Sequence, residues 1–148
     1  MRLADEIHSV DRPELIATLG RVAAEEQRRP RVYLQLKLWP EDNKTGLAED
    51  ELDAAIEAVL AEPALLLQGL MVMAPWIEDP PAAARAANEV FERCAAIAAV
   101  RLDAGWAEGR ALLSMGMSGD LEAAVRAGSD WLRVGSALFE GLGQELRR

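Results

Sequence analysis

Two short segments near the carboxyl end of the chain combine glycine, serine and arginine in a way that suits phosphate binding. They are residues 114–118, Ser-Met-Gly-Met-Ser, and residues 133–136, Arg-Val-Gly-Ser. Each is predicted to lie where a strand ends and a helix begins, and the unpaired backbone N–H groups at such positions attract phosphate. Glycine lets the backbone approach an anion, and serine hydroxyls donate hydrogen bonds. Glycine and serine are also ordinary turn and capping residues, so spacing alone leaves both interpretations open.

Several other side chains have two interpretations each. Arg133 comes just before the predicted end of its strand, where a guanidinium either faces a ligand's ring nitrogen or acidic group or forms a surface ion pair. Gln35 and Lys37 share one face of a predicted strand, which lines either a barrel lumen or a solvent-facing side. His8 lacks a nearby sequence pattern typical of a general base, so a packed or hydrogen-bonded histidine is the preferred interpretation. Cys94 is predicted to lie in the core.

Hydrophobic periodicity predicts five strands that alternate with five helices and position these side chains. The predicted strands are residues 6–10, 31–39, 65–74, 111–115 and 131–134. The predicted helices begin at Asp11 with Glu14 as a capping-box variant, at residue 52, near Pro81 after an Asp79 cap, at Asp120 before a closing Gly128, and at Ser136 with a run through Leu146. Residues 116–119 are predicted as a loop.

The alternation predicts the fold class. Strands joined by crossover helices must lie parallel, which makes the chain an α/β protein. A complete eight-unit barrel normally takes about 250 residues, whereas this sequence has 148. We therefore expect one domain over residues 1–148, either as an open sheet or as part of a barrel.

Composition disfavours several classes of partner. The chain has 16 Lys plus Arg against 25 Asp plus Glu, a net charge of -9 that repels nucleic acid and anionic membranes. One cysteine and one histidine leave no usual metal ligand set and no internal disulfide. No apolar stretch is long enough to span a membrane, and acidic residues stand where a signal peptide needs its apolar region. We expect a cytoplasmic protein.

Several motifs together resemble a known family. Residues 114–118 followed by Asp120, the Ala-Gly-Ser turn at 127–129 and residues 133–139 resemble the carboxyl-terminal signature of the pyridoxal phosphate homeostasis proteins. These proteins are similar to the amino-terminal barrel of alanine racemase. Further matches in the same order are His8-Ser9-Val10-Asp11, Gln35, Lys44-Thr45-Gly46 and Gly69-Leu70-Met71.

The resemblance implies part of a (β/α)₈ barrel of the alanine racemase amino-terminal type, with about five units corresponding to strands four to eight. It implies binding of pyridoxal 5′-phosphate without established catalytic turnover, in a protein that buffers or delivers this cofactor. Arg133 falls where related racemases place the arginine that faces the pyridine nitrogen. The cofactor-binding residues it implies are Ser114, Met115, Gly116, Met117, Ser118, Arg133, Gly135 and Ser136.

The sequence also departs from the family. The lysine strand to which the family attaches its cofactor has no counterpart here, and neither Lys37 nor Lys44 matches that lysine. Glu140 stands where relatives usually have glycine. We therefore expect a chain truncated by a split gene, a misplaced start or degeneration, with weak noncovalent cofactor binding. Open strand edges favour self-association or a complementing amino-terminal fragment; the alternative is a cofactor-free interaction module that pairs with another chain.

Overall fold

The computed structural model describes residues 4–40, 45–101 and 103–139. The strands in these ranges are β1 (Glu6–Val10), β2 (Arg31–Leu36), β3 (Leu66–Val72), β4 (Leu112–Met117) and β5 (Trp131–Arg133). The α-helices are α1 (Pro13–Glu25), α2 (Leu52–Leu60), α3 (Pro80–Ala99) and α4 (Leu121–Arg126). Short 3₁₀ turns cover Glu49–Glu51 and Ser136–Leu138.

The five strands form one parallel sheet in the order β1-β2-β3-β4-β5. The α/β prediction is therefore confirmed, and the architecture is a partial barrel of the expected type. Neighbouring strands lie about 4.8 Å apart, so the three steps from β1 to β4 would cover roughly 14 Å in a flat sheet. His8 Nδ1 on β1 nevertheless lies 2.8 Å from Ser114 Oγ on β4. This contact requires a strongly curled sheet, with both side chains on its concave face.

The hydrophobic core fills the space between the sheet and its helices. Val32 and Leu34 of β2 and Leu70 of β3 are fully buried, and Phe91 of α3 packs against the same cluster. Cys94 is also fully buried, as predicted, and burial raises the pKa of its thiol to about 12. Apolar side chains packed between a parallel sheet and its crossover helices are what hold this α/β layer together.

Two predicted helix boundaries are confirmed by capping contacts. The Asp79 carboxylate accepts a hydrogen bond from the Ala82 N–H at 2.9 Å, which caps α3. Gly128 follows the end of α4 with φ 86°, a left-handed conformation that glycine adopts without strain.

Other boundaries differ from prediction. The prediction of a capping box at Asp11 and Glu14 is wrong. Arg12 occupies the N-cap position of α1 and makes no side-chain capping bond, and the Asp11 carboxylate forms an ion pair with Arg12. The strand predicted for residues 31–39 ends at Leu36, where Leu47 forms an isolated parallel bridge on the side that β1 no longer covers: the Leu47 N–H donates to the Gln35 carbonyl at 2.8 Å. β4 extends to Met117, into the predicted loop, and the predicted final helix lies mostly outside the described residues.

Candidate functional site

The carboxyl ends of β4 and β5 lie side by side. Met117 is paired with Arg133 in the sheet, and the Ala137 N–H donates to Ser118 Oγ at 3.2 Å. The two glycine- and serine-containing segments predicted to bind phosphate therefore meet at one end of the sheet. We call residues 116–119 and 134–137 the β4/β5 cup.

Local packing explains the residue types at the cup. Gly116 has φ 97°, and a Cβ there would lie 2.5 Å from Ala124 Cβ and 3.0 Å from Leu132 Cδ2. Only glycine therefore allows α4 to pack this closely on the end of β4. The Asp120 carboxylate accepts a hydrogen bond from the Met117 N–H at 2.5 Å, which fixes the turn between β4 and α4.

The cup has free space beside its backbone. Apart from its immediate chain neighbours, a Cβ added at Gly119 or Gly135 would meet no atom of residues 4–40, 45–101 or 103–139 within 4 Å. A cleft of about 800 Å³ opens beside the β4 half of the cup, between the loops that follow β3 and β4 and helices α3 and α4; Met117 and Ser118 line it, whereas residues 134–137 do not. An anion of phosphate size therefore has room to contact the backbone at these positions.

The start of β5 is fixed by one carboxylate. Asp130 accepts a hydrogen bond from the Leu113 N–H at 2.8 Å and pairs with Arg110 at 2.6 Å. The hydrogen bond from Arg110 is the main cause that lowers the pKa of Asp130, with the Leu113 N–H as a further contributor. Asp130 thus ties the start of β5 to β4. This contact helps to fix the register of β5 along β4, and therefore the position of Arg133 and of the cup.

The predicted site residues do not all share one surface. The Met115 side chain is fully buried in the hydrophobic core, whereas Met117 is 40% exposed beside the cleft. Ser114 is fully buried on the concave face of the sheet. Ser136 is exposed at the start of the 3₁₀ turn after β5. The geometry therefore separates a cup at the strand ends from a buried polar group deeper in the sheet.

Arg133 belongs to this buried polar group. Its Nη1 donates to the Ser114 carbonyl oxygen at 2.8 Å and to Ser114 Oγ at 2.9 Å, and its Nη2 donates to the Val72 carbonyl at 3.1 Å. The guanidinium thus reaches from β5 across β4 to β3. Burial is the main cause that lowers the pKa of Arg133. The interpretation as a surface ion pair is wrong, because these bonding partners are backbone carbonyls and a buried hydroxyl.

His8 is the functional candidate whose partners the sequence did not reveal. Its ring stacks on Tyr33, with centroids 4.0 Å apart and planes inclined by 17°, and Trp131 approaches it edge-on at 6.2 Å. Its Nε2 lies 3.3 Å from the Glu6 carboxylate. Burial, followed by the charge of Glu6, raises the pKa of Tyr33 to about 12. The preferred interpretation of a hydrogen-bonded histidine is confirmed.

Gln35 and Lys37 do not join the cup. Gln35 is buried, and its amide donates to the Thr45 carbonyl at 2.8 Å, so it holds the loop that follows β2. Lys37 lines a separate depression of about 690 Å³ that also contains Trp39 and Arg93. Lys44 lies outside the described residues.

Comparison with known proteins places the chain in a family. The family model for the alanine racemase N-terminal domain matches residues 1–142. A pyridoxal phosphate homeostasis protein from Pseudomonas aeruginosa is 38% identical over 133 residues, which are 90% of this chain and 54% of that protein. The resemblance inferred from the sequence motifs is therefore confirmed. The chain spans about half the length of this relative.

Solved structures of related proteins have the same fold as this chain. PipY of Synechococcus elongatus superposes with a TM-score of 0.79 at 35% identity without pyridoxal phosphate, covering 91% of this chain and 61% of PipY. The structure of PipY with pyridoxal phosphate bound gives 0.76 at 34% identity, covering 91% and 60%. The D-threo-3-hydroxyaspartate dehydratase from Delftia, at 19% identity and 0.67, covers 89% and 35% and shares the fold alone. No helix within residues 4–40, 45–101 or 103–139 is long and apolar enough to cross a membrane. The chain belongs to the alanine racemase N-terminal domain family.

Proposed function

We propose that this chain is a pyridoxal phosphate homeostasis protein, one domain over residues 1–148, that binds the cofactor noncovalently and releases it without catalytic turnover. The observation that carries the proposal is the contact between the Ala137 N–H and Ser118 Oγ, because it brings both predicted phosphate-binding segments into one cup. The proposal is also supported by relatives of the chain: the Pseudomonas aeruginosa relative is a pyridoxal phosphate homeostasis protein, and PipY has been solved with pyridoxal phosphate bound.

The phosphate is assigned to the β4/β5 cup. Ser118 and Ser136 supply hydroxyl donors, and the open space beside Gly119 and Gly135 admits an anion close to the backbone. In parallel barrels the loops after the last two strands commonly bind phosphate. Gly116 has a supporting role, since it lets α4 pack against β4 behind the cup.

The pyridine ring is assigned to the side of Arg133. When bound, the cofactor supplies a ring that withdraws electrons, and most strongly when its nitrogen is protonated. A guanidinium is a permanent donor without an acceptor, so Arg133 holds a ring nitrogen in its unprotonated form. Ser114 sets the position of Arg133 through two hydrogen bonds, and Met115 and Met117 shape the strand that carries them. This arrangement favours holding the cofactor over carbanion chemistry.

Binding strength tests the cup. In Ser118→Leu and in Ser136→Leu we expect the affinity for pyridoxal phosphate to fall at least about tenfold, because each loses a hydrogen bond to a charged group, worth about 1.5–3 kcal/mol, and fills the cup. The measurement is a titration followed by the absorbance and fluorescence of the cofactor.

Thr18→Leu is the matched control, since Thr18 is an exposed hydroxyl residue on α1, far from the strand ends in sequence, and its variant should bind like the parent chain. Unchanged binding in both serine variants would contradict the cup. A single stoichiometric adduct at Lys37 after borohydride treatment would contradict noncovalent binding.

We also propose that another polypeptide segment covers the edges of the sheet, in the first place a complementing fragment that supplies further barrel strands and otherwise a second copy of the chain. β1 and β5 are the edge strands, and their outer backbone groups can pair with further strands. Leu132 and Val134 at the β5 edge are 41% and 37% exposed. Sizing chromatography with light scattering should show self-association of the isolated chain, and a stable monomer would refute it.

We place the protein in the cytoplasm, where its buried free thiol, Cys94, stays reduced.

A further inference from the structure

A continuous line of polar side chains crosses the concave face of the sheet from β1 to β5. The Glu6 carboxylate lies 3.3 Å from His8 Nε2, and His8 Nδ1 lies 2.8 Å from Ser114 Oγ. Ser114 Oγ lies 2.9 Å from Arg133 Nη1. The four residues come from three strands, and the cup contains none of them.

The donor and acceptor capacities fix the direction of these hydrogen bonds. A guanidinium only donates, so Ser114 Oγ accepts from Arg133. The hydroxyl keeps one proton of its own, and His8 Nδ1 at 2.8 Å is placed to accept it. His8 must then carry its proton on Nε2, where it faces the Glu6 carboxylate. The second lone pair of Ser114 Oγ could also accept from Nδ1–H, but Nε2 would then carry no proton to donate to Glu6, so the arrangement with the proton on Nε2 uses more of these contacts.

The order Ser-His-Glu is shared with some hydrolases, but the geometry here excludes a nucleophilic serine. Ser114 is fully buried, so a substrate carbonyl cannot reach its oxygen. Its Oγ also accepts a hydrogen bond from Arg133, which lowers the nucleophilicity that a neighbouring base would otherwise raise. The line therefore acts on Arg133 and not on a substrate of its own.

The His8 ring is held at the angle this role needs. It stacks on Tyr33 at 4.0 Å, and Tyr33 is fully buried, so the stacking partner is itself fixed. Trp131 approaches the ring edge-on, with centroids 6.2 Å apart. Glu6 is oriented in turn by Arg31, whose guanidinium lies 3.5 Å away.

We propose that His8 is a positioning residue, which acts through Ser114 to hold the Arg133 guanidinium at the ring-binding side of the site. His8 fixes the rotation of the Ser114 hydroxyl, and the hydroxyl then offers its lone pair to Arg133. The link between His8 and Arg133 stands without any ligand. Its effect on pyridoxal phosphate rests on the proposed function.

The first test uses the chain without ligand. His8 is the only histidine in the sequence, so imidazole ¹⁵N spectra report on this ring alone. At about pH 8.5, where an ordinary histidine is neutral, we expect a single tautomer with the proton on Nε2. In Arg133→Met the Ser114 and Val72 carbonyls lose the guanidinium that donates to them, so the Ser114 hydroxyl can turn its proton towards one of them and accept from Nδ1–H. Both tautomers should then appear. Arg21→Met, which removes an exposed helix ion pair, should leave the spectrum unchanged.

A proton on Nδ1 in the parent chain, or identical spectra for the parent chain and Arg133→Met, would overturn the proposal. Because no ligand is present, this test stays decisive even if the chain does not bind pyridoxal phosphate at all. A failure to bind pyridoxal phosphate would count against the proposed function only.

The second test measures the effect on the ligand. His8→Leu removes the acceptor for Ser114 and should weaken pyridoxal phosphate binding about fivefold, as expected for one neutral hydrogen bond, and shift the absorbance maximum of the bound cofactor. His8→Asn places an amide oxygen near the former Nδ1 and should restore both within about twofold of the parent values. If the parent chain binds and His8→Leu binds with equal affinity and spectrum, the positioning role is refuted while the cup remains.

Discussion

Arg133→Met should reduce the affinity for pyridoxal phosphate by about tenfold to a hundredfold, because it removes the only side chain assigned to the ring nitrogen and a hydrogen bond to a charged group is worth about 1.5–3 kcal/mol. The same substitution should lower the free energy of unfolding by less than it weakens the free energy of cofactor binding. Arg133 donates three hydrogen bonds to Ser114 and Val72, but holding a cation in a largely buried position carries a desolvation cost that methionine avoids.

Titration with pyridoxal phosphate and urea unfolding of the same samples measure the two effects. Arg21→Met is again the control, since an exposed i,i+4 ion pair contributes only about 0.3–0.5 kcal/mol, and it should bind normally. Arg133→Lys keeps the positive charge but lacks the planar guanidinium. Its affinity for pyridoxal phosphate should lie between those of the parent chain and Arg133→Met. An Arg133→Met chain with parental affinity would show that the ring lies elsewhere.

Gly69→Ala should destabilise the fold by about 3 kcal/mol, the upper range for overpacking a core. Gly69 is paired with Leu112 where β3 and β4 meet. A Cβ at this position would overlap the Leu112 carbonyl oxygen and lie 2.7 Å from the Leu112 backbone nitrogen. These atoms belong to the sheet, so β3 and β4 would have to separate. At an unconstrained strand position the same substitution usually stabilises by about 0.5–1 kcal/mol, so the sign of the effect is diagnostic.

Gly119→Ala is the matched control for this substitution. A Cβ added at Gly119 would have no atom of another described residue within 4 Å, its chain neighbours aside, so the free energy of unfolding of this variant should stay within about 0.5 kcal/mol of the parent value. Urea unfolding of both variants gives the comparison. A Gly69→Ala chain as stable as the Gly119→Ala chain would mean that β3 and β4 are not as close as described.

The glycine at 69 shows how far sequence reasoning reaches. Its neighbours identify an apolar strand, and a glycine inside a strand indicates a close approach of another backbone. The sequence does not say which backbone approaches. That information comes from the register between β3 and β4, which depends on the packing of two segments more than 40 positions apart.

The hydrogen bond between His8 and Ser114 was beyond prediction for a related reason. The residues are 106 positions apart, and their strands are separated by two others in the sheet. No local spacing encodes such a pair. The motif at residues 114–118 drew attention to the serine as a phosphate ligand, whereas its hydroxyl points to His8 and Arg133 on the concave face.

The sequence alone determined the order of strands and helices, the parallel sheet and the glycine-rich turns after β4 and β5, because hydrophobic period and turn residues act over a few positions. The family resemblance rested on its motifs at residues 114–118 and 133–139. Only the tertiary structure decided that Met115 faces the core, that β2 stops at Leu36 and that Arg133 joins Ser114 and His8. The physical reason is curvature. The twist between neighbouring strands accumulates across the sheet, and only the folded chain brings residues from distant strands within hydrogen-bonding distance.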